Sequence, residues 1–201
     1  MGIDLPQAGA LLLAGGASRR MGRDKAALPW RGGTFLERIA GELAGFPERY
    51  LSANLENCPL PPPWQLVADR FPGCGPLAGL HAGLCVCRSP WLVAVSCDLP
   101  LLQRPLVEWL ARQAAPPYGA VVPRDQAGRI HPLCAVYAKT LAPLAQAQLE
   151  AGDYRMGSLL ERVQVLYLPV GEAFSAMLAN INTPEDYRAL QAGKLWPPKR
   201  A

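Results

Sequence analysis

The sequence predicts an α/β fold, a single three-layer domain with a mostly parallel sheet and helices on both faces. Short apolar stretches of strand length alternate with stretches whose apolar residues recur at helical spacing, and that alternation builds a parallel sheet covered on both sides. The 201 residues suffice for one sizeable domain with a real core, and neither an internal repeat nor a linker divides them. Half of the residues are hydrophobic and 18% are charged, ordinary values for a globular chain. Prolines cluster at segment ends (Pro61 to Pro63, Pro116-Pro117, Pro197-Pro198), where they punctuate loops.

The elements follow in order. Ala10 to Leu13 is a short apolar strand. Thr34 to Ala44 has helical spacing, with Thr34 as N-cap and Glu37 three residues on as the other half of a capping box. Arg49 to Ala53 and Gln65 to Ala68 read as strands, and the small apolar run Leu77 to Cys87 as a helix. Trp91 to Ser96 (WLVAVS) is the clearest buried strand. Leu106 to Ala114 is the next helix, followed by strands at Ala120 to Pro123 and Leu133 to Tyr137. Leu141 to Ala151 and Ser158 to Arg162 read as helices, and Val165 to Pro169 as a late strand. Pro184 to Ala192 is a final helix, capped by Thr183 with Pro184 at its first position. Residues 1–193 are expected to form the domain, and Lys194 to Ala201 a frayed, disordered tail.

Composition narrows the function classes. A net charge of +4, with no long basic stripe, does not describe a nucleic-acid binder, but it suits a small anionic substrate if the charge is focused in one cleft. No apolar run approaches the roughly 18 residues of a membrane span. The start, MGIDLPQAG, carries an acid and no basic region, unlike a secretory signal. The expected compartment is the cytoplasm, and its reducing conditions imply that the six cysteines are free thiols. His81, Cys85 and Cys87 lack the pairing of a structural zinc site, so buried small hydrophobes are the favoured reading.

The chemistry is concentrated after the first strand, in LLLAGGASRRMGRDKAALPW. Ligands of open α/β sheets sit at the carboxyl ends of the strands. Gly15 and Gly16 let the main chain approach a ligand and turn N–H groups toward phosphate oxygens. Arg19, Arg20 and Lys25 supply matching positive charge. Neither GxGxxG nor GxxxxGK[ST] is present, so both well-known phosphate loops are excluded. In WLVAVSCDLP a buried strand delivers Asp98, placed either to hold Mg²⁺ beside nucleotide phosphates or to cap the next helix. In ADRFPGCGPLAGLHAGL, Asp69 follows a strand, and Gly75, Pro76 and Gly79 shape a tight approach before a helix whose turn could read a base edge. In NINTPEDY, Asn180 and Asn182 fall on one side of an extended segment and could complete a hard-metal shell, or Asn182 and Thr183 could merely start a helix.

Together LAGGASRRMGRDKA, ADRFPGCGPLAGL, VSCDLPLL, RIHPLCAVY, GDYRMGSLLER and NINTPEDY resemble, in order, the molybdenum cofactor guanylyltransferases, the MobA family of nucleotidyltransferases. The resemblance spans Leu13 to Tyr187. It implies a Rossmann-like nucleotidyltransferase domain, of the nucleotide-diphospho-sugar-transferase type. It also implies transfer of GMP from MgGTP to the terminal phosphate of molybdenum-molybdopterin, with release of pyrophosphate.

Carried over by motif, Leu13, Ala14, Gly15, Gly16, Lys25, Asn54, Asp69 and Asp98 would contact GTP, and Asp98 would hold Mg²⁺. Lys25, Asp98 and Arg20 would form the catalytic set. Asn180 and Asn182 would lie near the metal or the pterin phosphate. Arg155 in GDYR, together with Arg124, Arg129 and His131, is a candidate for the anionic acceptor. The acceptor phosphate is itself an ionised nucleophile, so positioning and charge neutralisation suffice and no strong base is needed. Transient contacts with the molybdenum insertion enzyme and apo-molybdoenzymes are expected. The alternatives are a molybdopterin cytidylyltransferase, in which LAAG tends to replace LAGG, a sugar-phosphate nucleotidyltransferase, or a non-catalytic nucleotide-binding module.

Overall fold

The computed structural model describes residues 7–15, 25–53 and 58–194. Its elements are β1 (Ala8–Leu13), β2 (Pro29–Trp30), β3 (Gly33–Thr34), α1 (Phe35–Glu42), β4 (Glu48–Ser52), β5 (Trp64–Val67), α2 (Pro76–Val86), β6 (Trp91–Ser96), α3 (Arg104–Arg112), β7 (Ala120–Arg124), β8 (Cys134–Ala138), α4 (Ala142–Glu150), α5 (Met156–Glu161), β9 (Val165–Pro169), α6 (Glu172–Met177) and α7 (Pro184–Gln191). Single 3-10 turns occupy Lys25–Ala27 and Lys139–Leu141.

Seven strands form one sheet in the order β5-β4-β1-β6-β8-β7-β9. All pairings are parallel except those of β8, which runs against both β6 and β7. The expected mostly parallel sheet is therefore present, with one reversed strand inside it. Every residue of β1 is buried, as are Leu92 to Val95 of β6, because helices cover both faces. Burying each such Leu or Val is worth about 1.5–3 kcal/mol.

Helix α2 lies close on the Leu11–Leu13 face. A Cβ on Gly79 would sit 2.6 Å from Ser52 Oγ and 2.8 Å from Leu13 Cδ2. On Gly83 it would meet Leu11 Cδ2 at 2.7 Å. Gly79 thus belongs to the body of α2 and fits it against β1 and β4. The expectation that it shapes the turn before the helix is corrected. Gly75, at φ +75°, does make that turn.

The capping boxes at Thr34–Glu37 and Thr183–Asp186 both form. The β2–β3 hairpin, turning at Arg31 (φ 49°) and Gly32 (φ 85°), and helix α6 are additions to the expected elements. From β1 the chain moves outward through β4 to β5, then returns to place β6 on β1's other side. The carboxyl ends of β1 and β6 are consequently the point where strand order reverses, which is where α/β sheets open a crevice. All six cysteines are free thiols. Among the described residues no helix is long and apolar enough to cross a membrane.

Candidate active site

The register aligns Leu13, Ser52 and Ser96 at one edge of the sheet. Main-chain bonds extend the ladders past the strand ends: Ala14 N–H donates to Ser52 O (2.8 Å) and Cys97 N–H to Leu13 O (3.0 Å). These bonds fix the path by which the chain leaves β1 and β6. Leu13 is buried, Ala14 half-buried and Gly15 exposed.

Asp98 follows β6 by two residues, and its side chain is 13% exposed. Asn180 Nδ2 donates to its Oδ2 at 3.2 Å, and Lys25 Nζ lies 4.0 Å from the same oxygen. Lys25 Nζ also donates to Asn182 Oδ1 at 2.7 Å. The segment between the two asparagines is pinned, since Ile181 N–H donates to Asp98 O (2.9 Å) and the Ile181 side chain is fully buried. Four residues from three distant parts of the chain therefore meet at the crevice. Helix α3 takes its N-cap from Gln103, so Asp98 is not a helix cap.

The start of α7 holds Asn182 in place. Asp186 Oδ2 accepts from Asn182 N–H (2.9 Å) and Thr183 N–H (2.8 Å), and Thr183 Oγ1 accepts from Asp186 N–H (3.1 Å). The Asn182 N–H bond, followed by those of Thr183, holds the Asp186 carboxyl below the usual carboxylate range despite partial burial. The helix-start reading and the site reading of NINTPED are thus one arrangement. The cap fixes the backbone, which frees the Asn182 side chain to face Lys25.

The other sequence-predicted residues divide. Asp69 is exposed beyond β5, two strands from β1, and its Oδ1 accepts from Phe71 N–H (2.8 Å). It shapes the loop entering α2 and does not join the Lys25–Asp98 group. Arg155 is 80% exposed and forks onto both oxygens of Asp153 at 3.0 and 3.1 Å, also apart from that group. Arg124 lies over the Tyr167 ring, 4.8 Å from its centroid. His131 Nε2 lies 3.2 Å from Asp125 Oδ2, and Arg129 Nε donates to the same oxygen at 2.8 Å. Gly16, Arg19, Arg20 and Asn54 lie outside the described residues. Asp125 and Asp186 are the residues that sequence reasoning missed. For Asp186 a signal existed, since Thr183-x-x-Asp186 is a capping-box spacing.

Asp98 Oδ1 is buried and has no hydrogen-bond partner among the described residues. A buried carboxylate oxygen left so is costly, and a bound cation would relieve it. Among the described residues no three His, Cys, Asp or Glu side chains cluster as a metal cage. A cation at Asp98 would have room for ligands beyond this one carboxylate, and Mg²⁺ is commonly held by one or two carboxylates together with substrate phosphates.

Residues 10–166 match the family model described as the MobA-like NTP transferase domain. A Pseudomonas putida protein named molybdenum cofactor guanylyltransferase is 34% identical over 189 residues, spanning 90% of this chain and 96% of its own. A Mycobacterium bovis protein named probable molybdenum cofactor guanylyltransferase is 36% identical over 200 residues, spanning 94% of this chain and 96% of its own. Among solved structures, molybdopterin-guanine dinucleotide biosynthesis protein A from Archaeoglobus fulgidus shares the fold, with a TM-score of 0.76 over 92% of this chain and 98% of that one at 24% identity.

Proposed function

The chain belongs to the MobA-like NTP transferase family, and from that premise we propose that it is a molybdenum cofactor guanylyltransferase. It transfers GMP from MgGTP to the terminal phosphate of molybdenum-molybdopterin, giving the guanine dinucleotide form of the cofactor and pyrophosphate. The observation that carries this reading is the convergence of Lys25, Asp98, Asn180 and Asn182 at the carboxyl ends of β1 and β6.

The backbone of Leu13, Ala14, Gly15 and Gly16 cradles the triphosphate. Lys25, already oriented by Asn182, neutralises charge on the phosphates, and Arg20 adds to it. Asp98, whose buried Oδ1 has no hydrogen-bond partner among the described residues, would hold Mg²⁺, which when bound supplies further neutralisation of the phosphates. An oxygen of the acceptor phosphate attacks the α-phosphorus, the new P–O bond forms, and the bond to pyrophosphate breaks. The nucleophile is already ionised, so the protein's part is alignment and electrostatics. Asn180 and Asn182 face the acceptor side, and Arg155 and His131 bind its anionic parts. Asn54 and Asp69 line the nucleotide side. The reaction takes place in the cytoplasm, with transient hand-over contacts to the molybdenum insertion enzyme and apo-molybdoenzymes.

The test is single-turnover pyrophosphate release with molybdopterin or its molybdenum form, Mg²⁺ and each of GTP, CTP, ATP and UTP, for wild type and Asp98→Ala. Release with GTP alone, lost in Asp98→Ala, is expected. Release with CTP instead would overturn the guanine assignment and keep the chemistry. No release with any nucleotide would overturn the reading.

A further inference from the structure

The turn between β7 and β8 contains a carboxylate that the reaction above does not use. From Arg124 to Ile130 every residue is exposed except Asp125, which is 7% exposed. Its two oxygens have separate roles. Oδ1 accepts from Arg129 N–H (2.9 Å) while Asp125 N–H donates to Arg129 O (2.9 Å), and Gly128 N–H donates to Asp125 O (2.9 Å). Those bonds close the turn. Oδ2 is surplus to that closure, and it takes Arg129 Nε at 2.8 Å and faces His131 Nε2 at 3.2 Å. Burial pushes the carboxyl up, but the bonds from Arg129 N–H, His131 and the Arg129 guanidinium more than offset it and hold it at about 2. Asp125 is accordingly an anion throughout the working range of pH.

The location gives this arrangement its meaning. The β6–β8 pairing ends at Val95 and Cys134, and Ser96 N–H donates to Leu133 O at 2.8 Å. Leu133, the residue before β8, thus sits beside Ser96 at the end of β6, and the turn from His131 to Cys134 leads into it on the edge that carries the Lys25–Asp98 group. The main chain there is independently fixed. His131 N–H donates to Pro123 O (3.1 Å), Cys134 N–H to His131 O (3.0 Å), and the hydroxyl of fully buried Tyr137 to Pro132 O (2.7 Å). What remains for Oδ2 to set is the direction of two side chains. With Nε2–H committed to Asp125, Nδ1 is the ring atom of His131 that can meet a ligand, and it donates to an anion when the ring is the imidazolium. Arg129 keeps 76% of its side chain exposed while its Nε is tethered.

We propose that Asp125 is a positioning residue whose Oδ2 presents His131, with Arg129 beside it, to the anionic end of the acceptor. The role rests on the guanylyl-transfer reading and sharpens it, since it concerns the acceptor and leaves the nucleotide untouched. Orientation by a buried carboxylate is how proteins commonly keep an imidazole aimed.

The experiment is steady-state transfer by the full chain, varying acceptor and GTP separately, for wild type, Asp125→Asn, His131→Gln and the double variant. Thermal unfolding of each is measured alongside. Asparagine keeps an acceptor for turn closure and loses the charge on Oδ2, whereas His131→Gln leaves the turn's carboxylate intact. Each single variant is expected to raise the KM for acceptor by about tenfold, the size of one charge-assisted hydrogen bond. The KM for GTP should stay within about twofold, and the double variant should be no worse than either single one, because the residues act as a unit. An unchanged acceptor KM in His131→Gln, an equal rise in the KM for GTP, or additive losses would overturn the role. Wild type inactive with every nucleotide would sink the guanylyl-transfer reading and this role together. Active wild type with indifferent variants would sink this role alone.

Discussion

Glu48→Gln should destabilise the protein by about 2 kcal/mol at neutral pH, and the loss should fade in acid. Glu48 opens β4 at the end of the sheet opposite the candidate site. Its carboxylate accepts from Arg88 N–H (2.8 Å), Ser89 N–H (2.8 Å) and the Tyr50 hydroxyl (2.6 Å), and makes a short bond with the Ser89 hydroxyl. These bonds clamp the turn between α2 and β6 onto β4. Burial pushes the carboxyl up, but the Ser89 and Tyr50 hydroxyls and the two main-chain N–H groups outweigh it, lowering it from 4.5 to about 2. At about 1.4 kcal/mol per pH unit that difference is worth about 3 kcal/mol, and partial exposure to solvent reduces it to about 2. Because the folded value is the depressed one, the stabilisation is present above the unfolded value near 4.5 and lost as pH falls toward 2. Glutamine turns an NH₂ group toward donors and leaves at least one N–H unmatched. Urea unfolding of both chains at pH 7, 4 and 2.5 measures this. A gap that is absent at pH 7, or the same at every pH, would refute the reasoning.

Three further outcomes are expected. Gly83→Val should destabilise by about 1–3 kcal/mol, because even its Cβ would lie 2.7 Å from Leu11 Cδ2 and 3.0 Å from Leu92 Cδ2, and thermal unfolding reads this directly. Thr183→Ala removes the cap of α7 at a cost of about 1 kcal/mol, but it also loosens Asn182. Turnover should therefore fall more than a melting curve alone would suggest, and comparing kcat with Tm separates the two effects. Asp98→Asn should cut transfer by at least about a hundredfold while leaving the fold intact, with the residual rate needing more Mg²⁺. A pyrophosphate assay across Mg²⁺ concentrations, with circular dichroism as the control for folding, checks it.

The parts of the fold legible in the chain were those with local causes. WLVAVS reads as a strand because both of its faces are covered, so no polar residue interrupts it. The start of α1 was legible because a capping box is a pair of residue types at fixed spacing, and that of α7 because Thr183 followed by Pro184 is an N-cap and first-turn pair. The reversal of β8 was not legible, because an apolar run carries no sign of direction and CAVYA would look the same either way. Helix α6, at six residues, is too short to show a period, and β2 and β3 are too short to alternate. In the candidate site, Asp98 and Lys25 could be picked out because each follows a recognisable strand or loop. That Asn180 would bond Asp98 and Asn182 would bond Lys25 depends on the fold bringing together residues 82 and 157 positions apart. Asp125 was missed for the opposite reason: an Asp three residues before a Gly in a polar stretch looks like any turn, and only its burial sets it apart.

The bond from Lys25 to Asn182 bears on how the protein is made. Residues 180–191 contribute both asparagines, the α7 cap, and Ile181 and Leu190 of the small cluster with Leu28, Phe35 and Leu101. Tyr187 also reaches back, its hydroxyl donating to Pro29 O at 2.7 Å. On a ribosome that has released only the first 150 residues, β1, β4 and β6 can already pair, so Lys25 and Asp98 exist without the amides that orient them. Closing so long a loop is a late event in folding. The nascent chain thus has most of its sheet before it has the two asparagines that meet Lys25 and Asp98.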